Sequence, residues 1–170
     1  MLMKKMRRLK TDKMLKVNFS NRQRKTALPD NTESLVVSAI NAALSVENFP
    51  DNSEVNVTFV SDDKIKKINY EFRNINSSTD VLSFPLGEEG VYDINPENNC
   101  FMLGDVIISI DHAIMQAELF GHGLDREIAY LTVHSVFHLL GYDHIDEGEQ
   151  KSIMRKKEEE ALKLINLNIK

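Results

Sequence analysis

Apolar positions fall first into an alternating run. Residues 15 to 20, LKVNFS, alternate apolar and polar side chains with the period of a short strand, and Met14 opens that segment. After Pro29, the stretch from 31 to 46 carries Leu35, Ala39, Ala42 and Val46 at helical spacing, with Asn31 or Thr32 available to cap the first turn. Val55, Val57 and Phe59 then mark one face of a strand in EVNVTFV. Ser61 predicts the start of a second helix through DDKIKKINYEF. Its Asp62 and Asp63 sit in the first turn, where the helix dipole favours acids, and Ile65, Ile68 and Phe72 form its buried stripe.

STDVLSFP and FMLGDVIIS read as two more strands, separated by an acidic loop from Gly87 to Asn99 that is expected to be mobile. Ser109 or Asp111 begins a third helix, closed by Gly121 and Gly123. Asp125 or a neighbour opens a fourth, REIAYLTVHSVFHLLG, which is apolar on nearly every side and so predicts a helix buried at the centre of the domain. Asp146 with Glu149 resembles a capping box for a last helix that turns Ile153, Ala161, Leu164 and Ile165 inward. The expectation is one α+β domain, residues 14–170, in which a small mixed sheet packs with helices. Residues 1–13 are a basic extension that the fold does not need.

Length and composition narrow the class. A chain of 170 residues with 42% hydrophobic and 28% charged side chains suits a single globular domain. No apolar run is long enough to span a bilayer, and the basic start lacks an apolar h-region, so neither a membrane partner nor secretion is expected and the cytosol is. The lone Cys100 predicts a small buried apolar residue and agrees with a reducing compartment. The net charge of −5 conceals a split: the first 25 residues carry +9 and the remainder −14. That acidic body argues against a general nucleic-acid coat, which needs a basic face. The arm itself reads as a solvated tail.

Chemistry concentrates in HSVFHLLGYDH, residues 134 to 144. His134 and His138, four apart on a helix, project from one face and can meet one ion. Gly141 can take the left-handed conformation that ends a helix and lets the chain return His144 as a third ligand. One histidine alone is better read as a hydrogen-bonded core residue. Three of the chain's five at this spacing favour a metal, with a fourth position left for solvent. Imidazole suits zinc first, although nickel, copper or iron can take the same ligands. His112 and His122 fall outside the pattern and are assigned to surface or capping roles. Zinc peptidases carry a glutamate general base after the first ligand; this chain has Ser135 there. A phosphodiester makes a fixed cation beside the metal more useful, and so predicts an arginine at the site.

Taken with FRNINSSTDVLSFP, LGDVIIS and GHGLDREIAYLTVH, the histidine segment resembles the bacterial YbeY family of rRNA maturation factors, in the same order and over nearly everything from about residue 14. The resemblance implies a metalloprotease-like (zincin-like) α+β fold and a single-strand-specific, zinc-dependent endoribonuclease. Such an enzyme would act in the cytoplasm on rRNA, particularly the small-subunit 3′ end, and in ribosome quality control, with ribosomal or small-subunit proteins as possible partners. By position, His134, His138 and His144 match the metal ligands and Arg73 the arginine implicated in activity, so that Arg73 and His134 are the candidate catalytic residues. Ser135, Ser78 and Gly123 depart from the family's usual residues without touching a ligand.

Arg73 would clamp a phosphate oxygen, while water or the RNA 2′-OH attacks phosphorus; the sequence does not choose between the two nucleophiles. Without the resemblance, Arg73 reads as one half of a surface salt bridge. Glu127, seven residues before His134, or Asp143 is a candidate to fix an imidazole tautomer. Lys64, Lys66 and Lys67 are expected to join Arg73 in a local basic cleft. Two alternatives stand beside the nuclease: a metallopeptidase, and an assembly protein that uses zinc only to hold its helix and binds without turnover.

Overall fold

The computed structural model of the chain describes residues 15–143 and 148–167. Four strands, β1 (Lys16–Asn21), β2 (Ser53–Val60), β3 (Val81–Pro85) and β4 (Phe101–Ser109), and five helices, α1 (Thr32–Val46), α2 (Asp62–Arg73), α3 (Ile110–Phe120), α4 (Leu124–Leu139) and α5 (Glu149–Leu164), follow in the order β1-α1-β2-α2-β3-β4-α3-α4-α5. The expected mixed sheet is present, in the order β1-β2-β4-β3. β1, β2 and β4 run parallel, and β3 pairs antiparallel with β4 as an edge strand. Among these residues no helix is long and apolar enough to cross a membrane.

Period-two alternation gives the sheet two unlike faces. Val55, Val57, Phe59, Val106 and Ile108 are buried in one core with α1, α4 and α5. The opposite face carries a polar ladder, Asn18 to Asn56 to Asp105, with each amide donating at 2.8 Å to the next oxygen. α2 covers only the β3 end of that face, through a separate small core of Val60, Ile65 and Leu82. α4 is buried on nearly every side, as its composition requires. Cys100 is buried, and burial raises its thiol pKa.

The helix starts follow side-chain chemistry where it is available. The Ser61 and Ser109 hydroxyls accept from the backbone N–H three residues on and so cap α2 and α3. Asn31 precedes α1 without a side-chain cap hydrogen bond, and its amide nitrogen donates to Asp125. α4 starts behind Gly123, with no side-chain cap. The Asp146 cap expected for α5 lies outside the described residues.

Three expectations need correction. Phe72 is 66% exposed. The stripe of α2 does continue to it, but the sheet beneath does not: Phe72 lies beside edge strand β3, its ring 5.5 Å from that of Phe84. In α5, Ile153 and Leu164 face solvent, while Met154, Glu158, Ala161 and Leu162 turn inward. A carboxylate occupies the buried stripe there, and drawing the stripe through apolar residues alone shifts it off the true face. The Gly87–Asn99 loop, expected to be mobile, is tied down. Asn95 and Asn98 donate to Glu54 at 2.9 and 2.8 Å, and the Tyr92 hydroxyl donates to the Leu139 carbonyl at 2.9 Å. Those amide hydrogen bonds, Asn98 foremost, outweigh burial and hold the Glu54 carboxyl below its usual pKa.

Candidate metal centre and cleft

The end of α4 is shaped by Gly141, which takes φ +102°. Its N–H reaches the His138 carbonyl and the Tyr142 N–H reaches the Phe137 carbonyl, turning the chain back on the helix. The Tyr142 carbonyl thereby comes within 2.7 Å of His138 Nδ1. A carbonyl only accepts, so Nδ1 carries the proton and Nε2 presents its lone pair. His134 is set the same way by a different group: its Nδ1 lies 2.6 Å from Glu158 Oε1, a carboxylate buried on α5.

These two constraints aim both Nε2 atoms at each other, 3.1 Å apart, with the rings nearly edge to face. Two lone pairs at that distance repel unless a proton or a metal ion lies between them. Tetrahedral zinc with Zn–N of about 2.0–2.1 Å separates its ligand nitrogens by about 3.3 Å. The donor chemistry therefore fits a shared ion. His144, the expected third ligand, lies outside the described residues, and no cluster of three candidate ligands occurs among the described ones.

The orienting carboxylate is Glu158, a residue the sequence reading missed; its only signal was an acid on the inward stripe of α5. Glu127 does fix an imidazole, but that of His122, with Oε2 3.1 Å from Nε2. Burial raises the Glu127 pKa, opposed by His122. His112 packs its Nδ1 against Asp62 at the start of α2, in keeping with a local structural role. The Tyr130 ring lies 5.7 Å from that of His134, and burial, with the nearby Glu158 charge, pushes its hydroxyl pKa up to about 12, so the phenol stays protonated. Ser135 is fully buried on the core side of α4. A serine hydroxyl is no general base at neutral pH, so the chain has no counterpart of the peptidase base at that position.

In front of the two histidines lies a cleft of about 480 Å³, lined by Arg73, Asp80, Ser83, His134, His138 and Asp143 among others. Arg73, the last residue of α2, reaches it around the β3 edge. Its Nη2 donates to the Ser83 carbonyl at 3.0 Å and its guanidinium lies 5.5 Å from the Phe84 ring centroid. Among the described residues it makes no carboxylate pair within salt-bridge distance. Lys64, Lys66 and Lys67 are exposed on α2 and do not line the cleft. Among the described residues, the charged side chains lining the cleft are Arg73, Asp80 and Asp143.

Comparisons with known proteins bear on the family. The family model described as Endoribonuclease YbeY matches residues 18–166. An Endoribonuclease YbeY of Caldanaerobacter subterraneus subsp. tengcongensis is 47% identical over 158 residues, covering 90% of this chain and 99% of the relative. One of Finegoldia magna is 44% identical over 151 residues, covering 89% and 94%. The solution structure of a Thermotoga maritima protein superposes with a TM-score of 0.56 at 25% identity, covering 88% of this chain and 91% of that one. With the family model spanning most of its length and relatives this similar, the chain belongs to the YbeY endoribonuclease family.

Proposed function

We propose that the chain is a metal-dependent endoribonuclease that cuts single-stranded RNA during ribosomal RNA maturation in the cytoplasm, at the small-subunit 3′ end and in ribosome quality control. Zinc is its ion, held by His134, His138 and His144, within a zincin-like arrangement of helix and edge strand. The observation that carries this reading is the pair of Nε2 lone pairs converging at 3.1 Å beside a cleft that contains Arg73.

When bound, the ion supplies Lewis acidity and lowers the pKa of its water toward about 7. The protein's own groups do the rest. Glu158 and the Tyr142 carbonyl hold both Nδ1 protons, which keeps the Nε2 atoms free of protons and aimed at one point. Arg73 gives one N–H to Ser83 and keeps its other donors for a phosphate oxygen, where they strengthen as charge develops. The Ser83 tether fixes the direction of that fork before substrate arrives.

The test is metal content measured together with cleavage of a defined single-stranded RNA. Arg73→Ala retains metal and loses about 10²–10³-fold in rate, the usual consequence of removing one donor to developing charge. His134→Ala loses both metal and cleavage. Undiminished cleavage after chelation, or an unaffected His134→Ala protein, refutes the proposal.

A further inference from the structure

The cleft raises a problem of affinity. Single-stranded RNA is usually gripped by a basic groove, yet this one offers Arg73 against Asp80 and Asp143. A second source of binding energy is needed, and unpaired bases supply one through their faces. Phe72 is suited to receive a base. It is 66% exposed and is the residue immediately before Arg73. Its ring is braced against Phe84 at 5.5 Å and 60°, and the Arg73 guanidinium lies 5.5 Å from the centroid of that same Phe84 ring.

Two aromatic rings and a planar cation thus form one continuous surface that begins in the cleft and crosses the edge of β3. Phenylalanine has no polar atom to justify an exposed position, and among the described residues Phe72 remains 66% exposed. The continuity with Arg73 favours a nucleobase over a protein partner: a nucleotide whose phosphate meets the guanidinium has its base within reach of the adjoining ring.

We infer that Phe72, braced by Phe84, is the stacking platform for an unpaired base adjacent to the phosphate held by Arg73. The inference rests on the ribonuclease reading of the cleft. Phe72 acts as a positioning residue, contributing to RNA binding and leaving the chemical step to the cleft.

The test uses single-stranded RNA oligonucleotides carrying 2-aminopurine at successive positions, with the full-length protein. Binding is read by fluorescence in chelator, and KM and kcat are read with metal. Stacking on the wild type quenches the probe at one position. Phe72→Ala and Phe72→Leu, the latter keeping an apolar contact with Phe84, abolish that quench. They raise Kd and KM about 5- to 150-fold, the range for one base on an aromatic ring, with kcat changed less than about twofold. Phe72→Trp preserves both readouts. An abasic site at the same position weakens wild-type binding and adds no further loss in Phe72→Ala.

Absence of a position-specific quench, or Phe72→Ala with wild-type Kd and KM, overturns the inference. So does an equal loss by Phe72→Ala on intact and abasic RNA. If the metal-loaded wild type fails to cleave, the ribonuclease reading fails separately, while the quench still decides whether a base stacks on Phe72.

Discussion

Replacing Glu158 by Gln tests whether the carboxylate behind His134 serves the metal. Glu158 Oε1 lies 2.6 Å from His134 Nδ1 with only 4% of its side chain exposed, so solvent screens the interaction little. Gln can still accept from Nδ1–H, which keeps the tautomer, but it removes the charge that makes the ring a better donor. A charge-assisted hydrogen bond contributes about 1.5–3 kcal/mol. Removing the group that orients a ligating histidine weakens metal affinity by about 10- to 100-fold, or about 1.4–2.7 kcal/mol. The two estimates agree. In the metal-free protein the lost bond is offset by relief from burying a carboxylate, so its stability should move by less than about 1 kcal/mol. Competition against a fluorescent zinc chelator measures the affinity, and urea unfolding in chelator measures the fold. If Glu158→Gln binds zinc as tightly as the wild type, the carboxylate is only a structural partner of His134. If the metal-free variant is several kcal/mol less stable, its loss of zinc reports damage to the fold.

Two further predictions concern the frame around the site. Gly104 has φ +140°, and a Cβ there would stand 2.2 Å from the Phe84 carbonyl oxygen. Gly104→Ala should therefore cost about 1–3 kcal/mol in backbone strain and a further 1–3 kcal/mol or so in overpacking; an unchanged urea midpoint would contradict this. Glu54, whose pKa is lowered in the fold, stabilises the protein fully above its unfolded value near 4.5 and loses that contribution as pH falls through the folded value. The stability difference between wild type and Glu54→Gln should thus be largest at neutral pH and shrink on acidification below 4.5, read by urea unfolding across that range; a gap that widens in acid would reverse the assignment.

Legibility in the sequence tracked how local each determinant is. Strands β1, β2 and β4 follow from alternation within single segments, and the Ser61 and Ser109 caps from a hydroxyl three residues before an N–H. The pairing of His134 with His138 needs only the rise of one helix turn, and the reversal at Gly141 only a residue tolerant of positive φ. What was hidden depends on partners far along the chain. Glu158 reaches His134 from 24 residues away, so a stripe drawn through apolar residues alone passes over it. Glu127 was placed on the correct helix but meets His122. Phe72 continues an apolar stripe whose buried status depends on where a neighbouring sheet ends, which the local pattern of α2 does not encode. The lysines of α2 failed as cleft residues for a similar reason, since only Arg73 lies where that helix passes the strand edge.

The unequal division of the two cores has a consequence for how the molecule opens. α4 sits in the large cluster, whereas α2 is fastened through Val60, Ile65 and Leu82. Amide exchange in α2 should then proceed through a partial unfolding that leaves the imidazole helix intact. Mild denaturant would release the arginine-bearing segment first, giving a form that keeps His134 and His138 in place on an intact helix while Arg73 is freed from the cleft.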